Sequence, residues 1–196
     1  MMKRTDRLLN RLSFGAGICL LVVSAALLLC WQWGIRTAEQ KAQATVDALR
    51  SLIPAPQGTV LEARSDNSMA ALSLEGSDFV GILEMPRYGS ALPVCAQWGQ
   101  ISKHPCCLSG SIYDGTLQIG ATSQKGQYDF YRELSVGDAI YFTDMEGNRY
   151  AYAITDIRIE KHASQGALQR HNAALTLFIK NIYAFEYLIL FCDVLS

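Results

Sequence analysis

The chain has 196 residues, half of them hydrophobic, and a formal charge of −1 at pH 7. That length suffices for one domain with its own core plus an accessory segment. The near-neutral balance gives no electrostatic footprint for nucleic acid, so no partner of that class is expected.

Residues 1–11 carry Lys3, Arg4, Arg7 and Arg11, and then charge ceases from Leu12 to Ile35. At about 1.5 Å rise per residue, some 20 apolar residues cross a ~30 Å hydrocarbon layer. Residues 12–35 are therefore predicted to form a single transmembrane helix, with Trp31 and Trp33 at its far interface. The basic flank keeps residues 1–11 on the cytoplasmic side. A cleaved signal peptide is the competing reading, but the apolar region is long for one, and no small-x-small site closely follows it. An uncleaved single-pass anchor in the cell membrane is expected, with everything beyond it extracytoplasmic.

Residues 36–53 predict a stalk helix, because Ala42, Val46, Leu49 and Ile53 recur at helical spacing and form one stripe. Pro54 and Pro56 end it, since proline cannot continue the hydrogen-bonded turn. Residues 57–77 mix Gly, Ser, Asp and Asn with small apolar residues, which suits a linker or a loosely docked strand, and 54–78 is taken as the linker. Short strands follow in residues 79–196. They are expected at 79–83, 91–95, 117–120, 139–143, 149–154, 175–179 and 187–192, with a short helical turn at 127–134. Asp144-Met145-Glu146-Gly147-Asn148 between two of them suits a hairpin loop. The fold class is mainly β, a small barrel or sandwich.

Of six cysteines, Cys19 and Cys30 fall in the apolar segment, leaving Cys95, Cys106, Cys107 and Cys192 beyond it. The compartment permits disulfides. No CxxC and no paired Cys/His spacing appears. His104 beside Cys106 and Cys107 falls short of the roughly four ligands a closed site needs, so neither metal nor cofactor is expected. A bridge from Cys106 or Cys107 to Cys192 is the expected pairing, and Cys106 and Cys107 are expected in a loop.

Several pieces between Val80 and Cys192 occur in the order found in one family. Val80-Gly81-Ile82-Leu83-Glu84-Met85-Pro86 is similar to a Gly-x-Leu-x-Ile-Pro strand, and Leu92-Pro93-Val94 to the next. Phe130 followed by Leu134-Ser135-Val136-Gly137-Asp138 matches a Phe…Leu-x-x-Gly-Asp run. Phe142-Thr143-Asp144, Gly147 and Tyr150-Ala151-Tyr152 match the hairpin, and Leu175-Thr176-Leu177-Phe178 a strand that ends Thr-Leu-x-Thr-Cys. This stretch resembles a sortase domain. The resemblance implies an eight-stranded closed β-barrel anchored in a Gram-positive type of envelope. It also implies three working residues: a cysteine that attacks a cell-wall sorting signal, a histidine that handles protons, and an arginine at the oxyanion.

All three differ here. The histidine follows Ile/Val-Ala-Gly in that family, and this chain reads Gln118-Ile119-Gly120-Ala121, which sets Ala121 in its place. Lys180 stands for the cysteine and Tyr187 for the arginine. Acid–base help is worth about 10²–10⁴ in rate, and an oxyanion donor about 10²–10³. Without the nucleophile there is no thioester at all. Lys180 at a barrel mouth is read as a solvated charge and not as a nucleophile. His104, His162 and His171 are read as solvated or loop residues.

The expected function is a membrane-anchored, catalytically inactive protein that binds a sorting-signal peptide, a pilin-like subunit or a partner sortase at the envelope. Ala121, Lys180, Tyr183 and Tyr187 are its candidate groove residues. Tyr183, Phe185 and Tyr187 form either a peptide floor or loop aromatics packed on the barrel. The alternatives are an active transpeptidase or peptidase with a relocated cysteine, and a structural envelope ectodomain.

Overall fold

The structure, a computed structural model, describes residues 2–54, 68–161 and 173–195, with side chains for 16–30 and from 39 onward. Two compact units divide the chain, residues 1–38 and 39–196. A single helix, α1 (Met2–Leu52), supplies the first unit and the opening of the second.

In the first unit the side chains of residues 16–30 are all exposed. Among the described residues no helix is long and apolar enough to cross a membrane. The expected span at 12–35 includes positions whose side chains lie outside the described residues.

In the second unit α1 buries Ala42, Val46 and Leu49 and ends two residues before Pro54. Val46 and Leu49, with half-buried Ile53, pack on Phe79, Ile82, Cys95 and Cys106 of the sheet. The stripe at three- and four-residue spacing thus docks the helix on the outside of the barrel.

Among the described residues nine strands follow: β1 (Leu72–Leu74), β2 (Ser77–Met85), β3 (Ser90–Cys95), β4 (Cys106–Ser109), β5 (Leu117–Thr122), β6 (Ala139–Asp144), β7 (Arg149–Glu160), β8 (Leu175–Asn181) and β9 (Glu186–Val194). They run in the order β1-β2-β3-β4-β5-β8-β9-β7-β6, and β6 pairs back onto β2. Strands β2 to β9 therefore close an eight-stranded barrel, with β1 appended. The closing register runs from Gly81↔Asp144 to Glu84↔Tyr141. Pairings β3–β4 and β5–β8 are parallel, and β3 meets β4 through the single pair Cys95↔Cys106. Two short 3-10 helices, Pro86–Tyr88 and Trp98–Gln100, flank β3.

Within 54–78, read as a linker or a loosely docked strand, lie β1 and the first residues of β2, joined by Glu75 and Gly76, both with positive φ (50° and 78°). Such a pair forms the two-residue turn whose twist suits a hairpin. Cys106 and Cys107 lie on a strand, β4, and not in a loop. Strand β7 continues past Ile154 to Glu160 because β9 pairs along its second half, beyond a bulge between Ile154 and Asp156.

The interior follows the period of two along each strand. Leu175, Leu177 and Ile179 of β8 meet Leu188, Leu190 and Cys192 of β9 in one core, with Ile119 and Ala121 of β5. The β6–β7 hairpin is fixed by buried Asp144. Its carboxylate accepts from the N–H groups of Glu146 (3.0 Å) and Asn148 (2.8 Å) and from Asn148 Nδ2 (3.0 Å).

Candidate functional site

The end of β8 sets the geometry. With Leu175, Leu177 and Ile179 turned inward, alternation sends Thr176, Phe178 and Lys180 to the outer face. Lys180 is paired with Thr122 of β5 on one side and Tyr187 of β9 on the other, and Tyr187 is paired in turn with Glu160 of β7. Directly paired residues share a face. The outer face therefore carries a row Thr122–Lys180–Tyr187–Glu160 across four strands.

Ala121 is not in that row. Its register partner is Ile179, and at 2% exposure it belongs to the barrel interior. The sequence reading missed Thr122, one residue further on. A partial signal was present, because Ile119-Gly120-Ala121-Thr122, shifted by one position, matches the Ile/Val of that pattern with the Ala and Gly exchanged.

The row stands on a well-tied rim. The Thr122 N–H donates to Gln127 Oε1 (2.9 Å), and Gln127 Nε2 donates to the Ile101 carbonyl (3.0 Å). The Ser123 N–H donates to the Lys180 carbonyl (3.0 Å), and the Ile182 N–H to Ser123 Oγ (3.2 Å). Asn181 Nδ2 donates to Glu186 Oε1 (2.9 Å) and to the Tyr131 hydroxyl (2.8 Å), while Asn181 Oδ1 accepts from the Tyr183 N–H (3.0 Å). Thr122 Oγ1 is buried and has no hydrogen-bond partner.

Four residues, 182–185, turn β8 into β9. Ile182, Tyr183 and Phe185 are 39%, 76% and 83% exposed. Phe185 holds a φ of 51°, which is costly for a bulky residue. The structure thus brings Lys180, Tyr183 and Tyr187 together on one hairpin. Tyr183 and Phe185 are exposed at the hairpin tip, and Tyr187 is half-buried beside Lys180.

One row further along the barrel, Gly120 pairs with Phe178 and Phe178 with Ile189. Phe178, Ile189, Phe191 and Ala173 are buried together there. A Cβ on Gly120 would lie 2.1 Å from Cζ3 of Trp98, so glycine at this position lets the indole rest on β5.

No thiol, imidazole or guanidinium stands in the row itself. Cys192 pairs with Leu175 at the opposite end of β8. Five residues at about 3.3 Å each put it roughly 16 Å from Tyr187 along β9. Burial, then Asp193, pushes its thiol well above the ordinary range. Burial likewise raises Cys107, with Cys106 adding to it. His104 packs edge-on against Phe79 at 5.4 Å, its Nδ1 buried without a partner. Burial and then Lys103 lower its pKa, so the ring is neutral. His162 and His171 lie outside the described residues. The structure does not hold the expected bridge from Cys106 or Cys107 to Cys192: Cys106 faces the outer cluster under α1, Cys107 and Cys192 pack on the barrel interior from β4 and β9, which are not neighbouring strands, and all six cysteines are free.

No protein-family profile matches the sequence, and no curated protein does. The fold does have counterparts among solved structures. Sortase C1 from Streptococcus suis superposes with a TM-score of 0.51 at 16% identity, over 60% of this chain and 73% of that one. Sortase A from Corynebacterium diphtheriae gives 0.53 at 14%, covering 83% and 84%. Sortase C from Clostridium perfringens, solved with the C-terminal cell wall sorting motif, gives 0.52 at 14%, covering 83% and 88%. The architecture is sortase-like.

Proposed function

We propose that this chain is a non-catalytic binding protein built on a sortase-like barrel, whose contact surface is the β8–β9 hairpin and the row beside it. The observation that carries this reading is the outer row Thr122–Lys180–Tyr187, where an exposed ammonium and a half-buried phenol stand on adjacent strands beside a buried threonine hydroxyl. A threonine without a hydrogen-bond partner has no base to activate it, and a solvated ammonium has no free lone pair. Cys192 is buried, and the thiols of Cys192 and Cys107 are pushed above the ordinary range, while Cys106 on β4 is fully buried beside Cys95 in the cluster beneath α1. What the hairpin does offer is binding chemistry: aromatic side chains at low entropic cost, next to a cation.

The ligand class follows from the likeness to sortases, one of which was solved with a sorting motif. An extended envelope peptide of that class, or a pilin-like subunit that carries it, would lay apolar side chains on Tyr183 and Phe185. Its carboxylate would face Lys180. In the same reading residues 12–35 anchor the chain in the membrane of a Gram-positive type of envelope. Residues 1–11 are then cytoplasmic, and the barrel is held outside at the surface.

Fluorescence anisotropy tests this with the full-length protein in detergent and a labelled peptide bearing the C-terminal cell wall sorting motif. Micromolar binding is expected, weakened at least about tenfold in Tyr183→Ser/Phe185→Ser, which removes interface aromatics worth more than ~1.4 kcal/mol together. Alkylation of the thiols should leave binding unchanged. No binding at tens of micromolar would remove the peptide reading. A covalent acyl adduct found by mass spectrometry would instead make the protein an enzyme.

A further inference from the structure

Cys95 ends β3 and Cys106 begins β4, and each is the other's register partner in the one pair that joins these parallel strands. Neighbouring strands lie about 4.8 Å apart, and a disulfide spans 4.4–6.8 Å between Cα atoms. Both side chains enter the same cluster beneath α1, with Phe79, Ile82, Val46 and Leu49, at 2% and 0% exposure. The backbone is tied here as well, since the Cys95 N–H donates to the Pro105 carbonyl (2.8 Å), and Cys106 Sγ lies 3.3 Å from the His104 carbonyl. Cys107 does not compete, because it packs toward the barrel interior.

The two thiols are unequal. A mutual hydrogen bond, with burial adding to it, pushes Cys95 up. The same bond, helped by the Gln100 backbone, draws Cys106 below its ordinary value against the effect of burial. This is the division between an attacking thiolate and a resolving partner.

We propose that Cys95 and Cys106 form a disulfide that clips the 96–105 loop to the barrel, made by exchange with a dithiol–disulfide oxidant protein. During folding, before the loop closes over the pair, Cys106 thiolate attacks the oxidant's disulfide and releases one of its sulfurs as a thiol. Cys95, losing its proton, then attacks Cys106 Sγ in the mixed disulfide and releases the second. The pair loses two protons and two electrons, one S–S bond forms, and the oxidant leaves as a dithiol. This proposal does not depend on peptide binding.

The clip acts at the barrel's narrowest join, and the loop it closes forms one wall beside Thr122. That loop carries Trp98, which rests on Gly120, and the Ile101 and Ser102 carbonyls that accept from Gln127 and Gln124. With both sulfurs buried, a reductant reaches the bond only when the loop opens.

The test uses full-length protein refolded in a glutathione redox buffer, alkylated in denaturant and digested without reduction. A Cys95–Cys106 linked peptide, two hydrogens lighter than the thiols, is expected, with Cys107 and Cys192 alkylated. Oxidised protein should melt roughly 5–10 °C above its reduced form, as a short closed loop implies, and Cys95→Ala should erase that difference. Alkylated Cys95 and Cys106 after oxidative refolding, or Cys106 bridged to another cysteine, would overturn the proposal. So would equal melting of the oxidised and reduced forms. If Cys95→Ala does not fold, the linked peptide from the unaltered chain decides the matter alone.

Discussion

Gly81→Ala is expected to destabilise the barrel by about 3 kcal/mol or more, lowering its melting temperature by roughly 6–12 °C. Gly81 sits in β2 where that strand is paired on both sides, with Val94 of β3 and Asp144 of β6. A Cβ there would fall 2.3 Å from Cζ of Phe142 and 2.6 Å from the Thr143 carbonyl oxygen. Phe142 is fully buried and has nowhere to retreat. The carbonyl belongs to the strand that closes the barrel, so relieving that contact loosens β2 from β6. Thermal melts followed by circular dichroism measure the effect. Gly99→Ala is the control, because a Cβ at Gly99 meets nothing within 4 Å. Equal melting of the two variants would mean that the β2–β6 join is looser than this packing requires.

The second large effect centres on Asp138, where neutralising the carboxylate should cost about 2–3 kcal/mol at neutral pH. Its carboxylate is 7% exposed and accepts from the Tyr88 hydroxyl (2.6 Å), the Ser135 N–H (2.9 Å) and the Arg87 guanidinium. Burial pulls the pKa upward, but hydrogen bonds from Tyr88, Ser135 and Arg87 outweigh it and hold the carboxyl below its ordinary value. The unfolded chain then binds more protons than the folded one as acid is added, so stability falls as pH falls. The contribution is complete well above the unfolded value of about 3.9 and is lost below it, as pH descends through the folded value. Asp138→Asn should be less stable at pH 7 and show a flatter decline between about pH 5 and pH 3. Urea melts across that range test both statements, and an unchanged slope would refute the linkage. Burial, then the Asp138 hydrogen bond, pushes the Tyr88 hydroxyl up to about 12, so it remains a donor throughout.

The strands that alternate cleanly were legible in the sequence, and so was the helix stripe. The β6–β7 hairpin announces itself through Asp144, Gly147 and Asn148, and Ala42, Val46 and Leu49 are buried at the spacing that predicted them. Strand β4 was hidden. Cys106-Cys107-Leu108-Ser109 follows a proline and lacks alternation, and it becomes a strand only because β5 pairs with it. The bounds of the short β1 were hidden for a related reason, since a docked strand was only one reading of that stretch and Glu75 gives no hint of a left-handed turn position.

At the candidate site the sequence led to the correct strands with one residue out of step. Ala121 and Thr122 differ by one position, and in a β-strand that is the difference between the interior and the outer face. Only the parallel register of β5 on β8 identifies Thr122 as the neighbour of Lys180. The Cys95–Cys106 proximity was equally illegible, because it is created by a parallel pairing across an intervening loop.

A cylinder of strands is only as coherent as its weakest staves. Most neighbours here are laced along their length, whereas β3 and β4 touch at a single rung. That seam is therefore kept shut by what the 96–105 segment itself grips: Gln127 on the Ile101 carbonyl, Gln124 on the Ser102 carbonyl, and the Trp98 indole lying on Gly120.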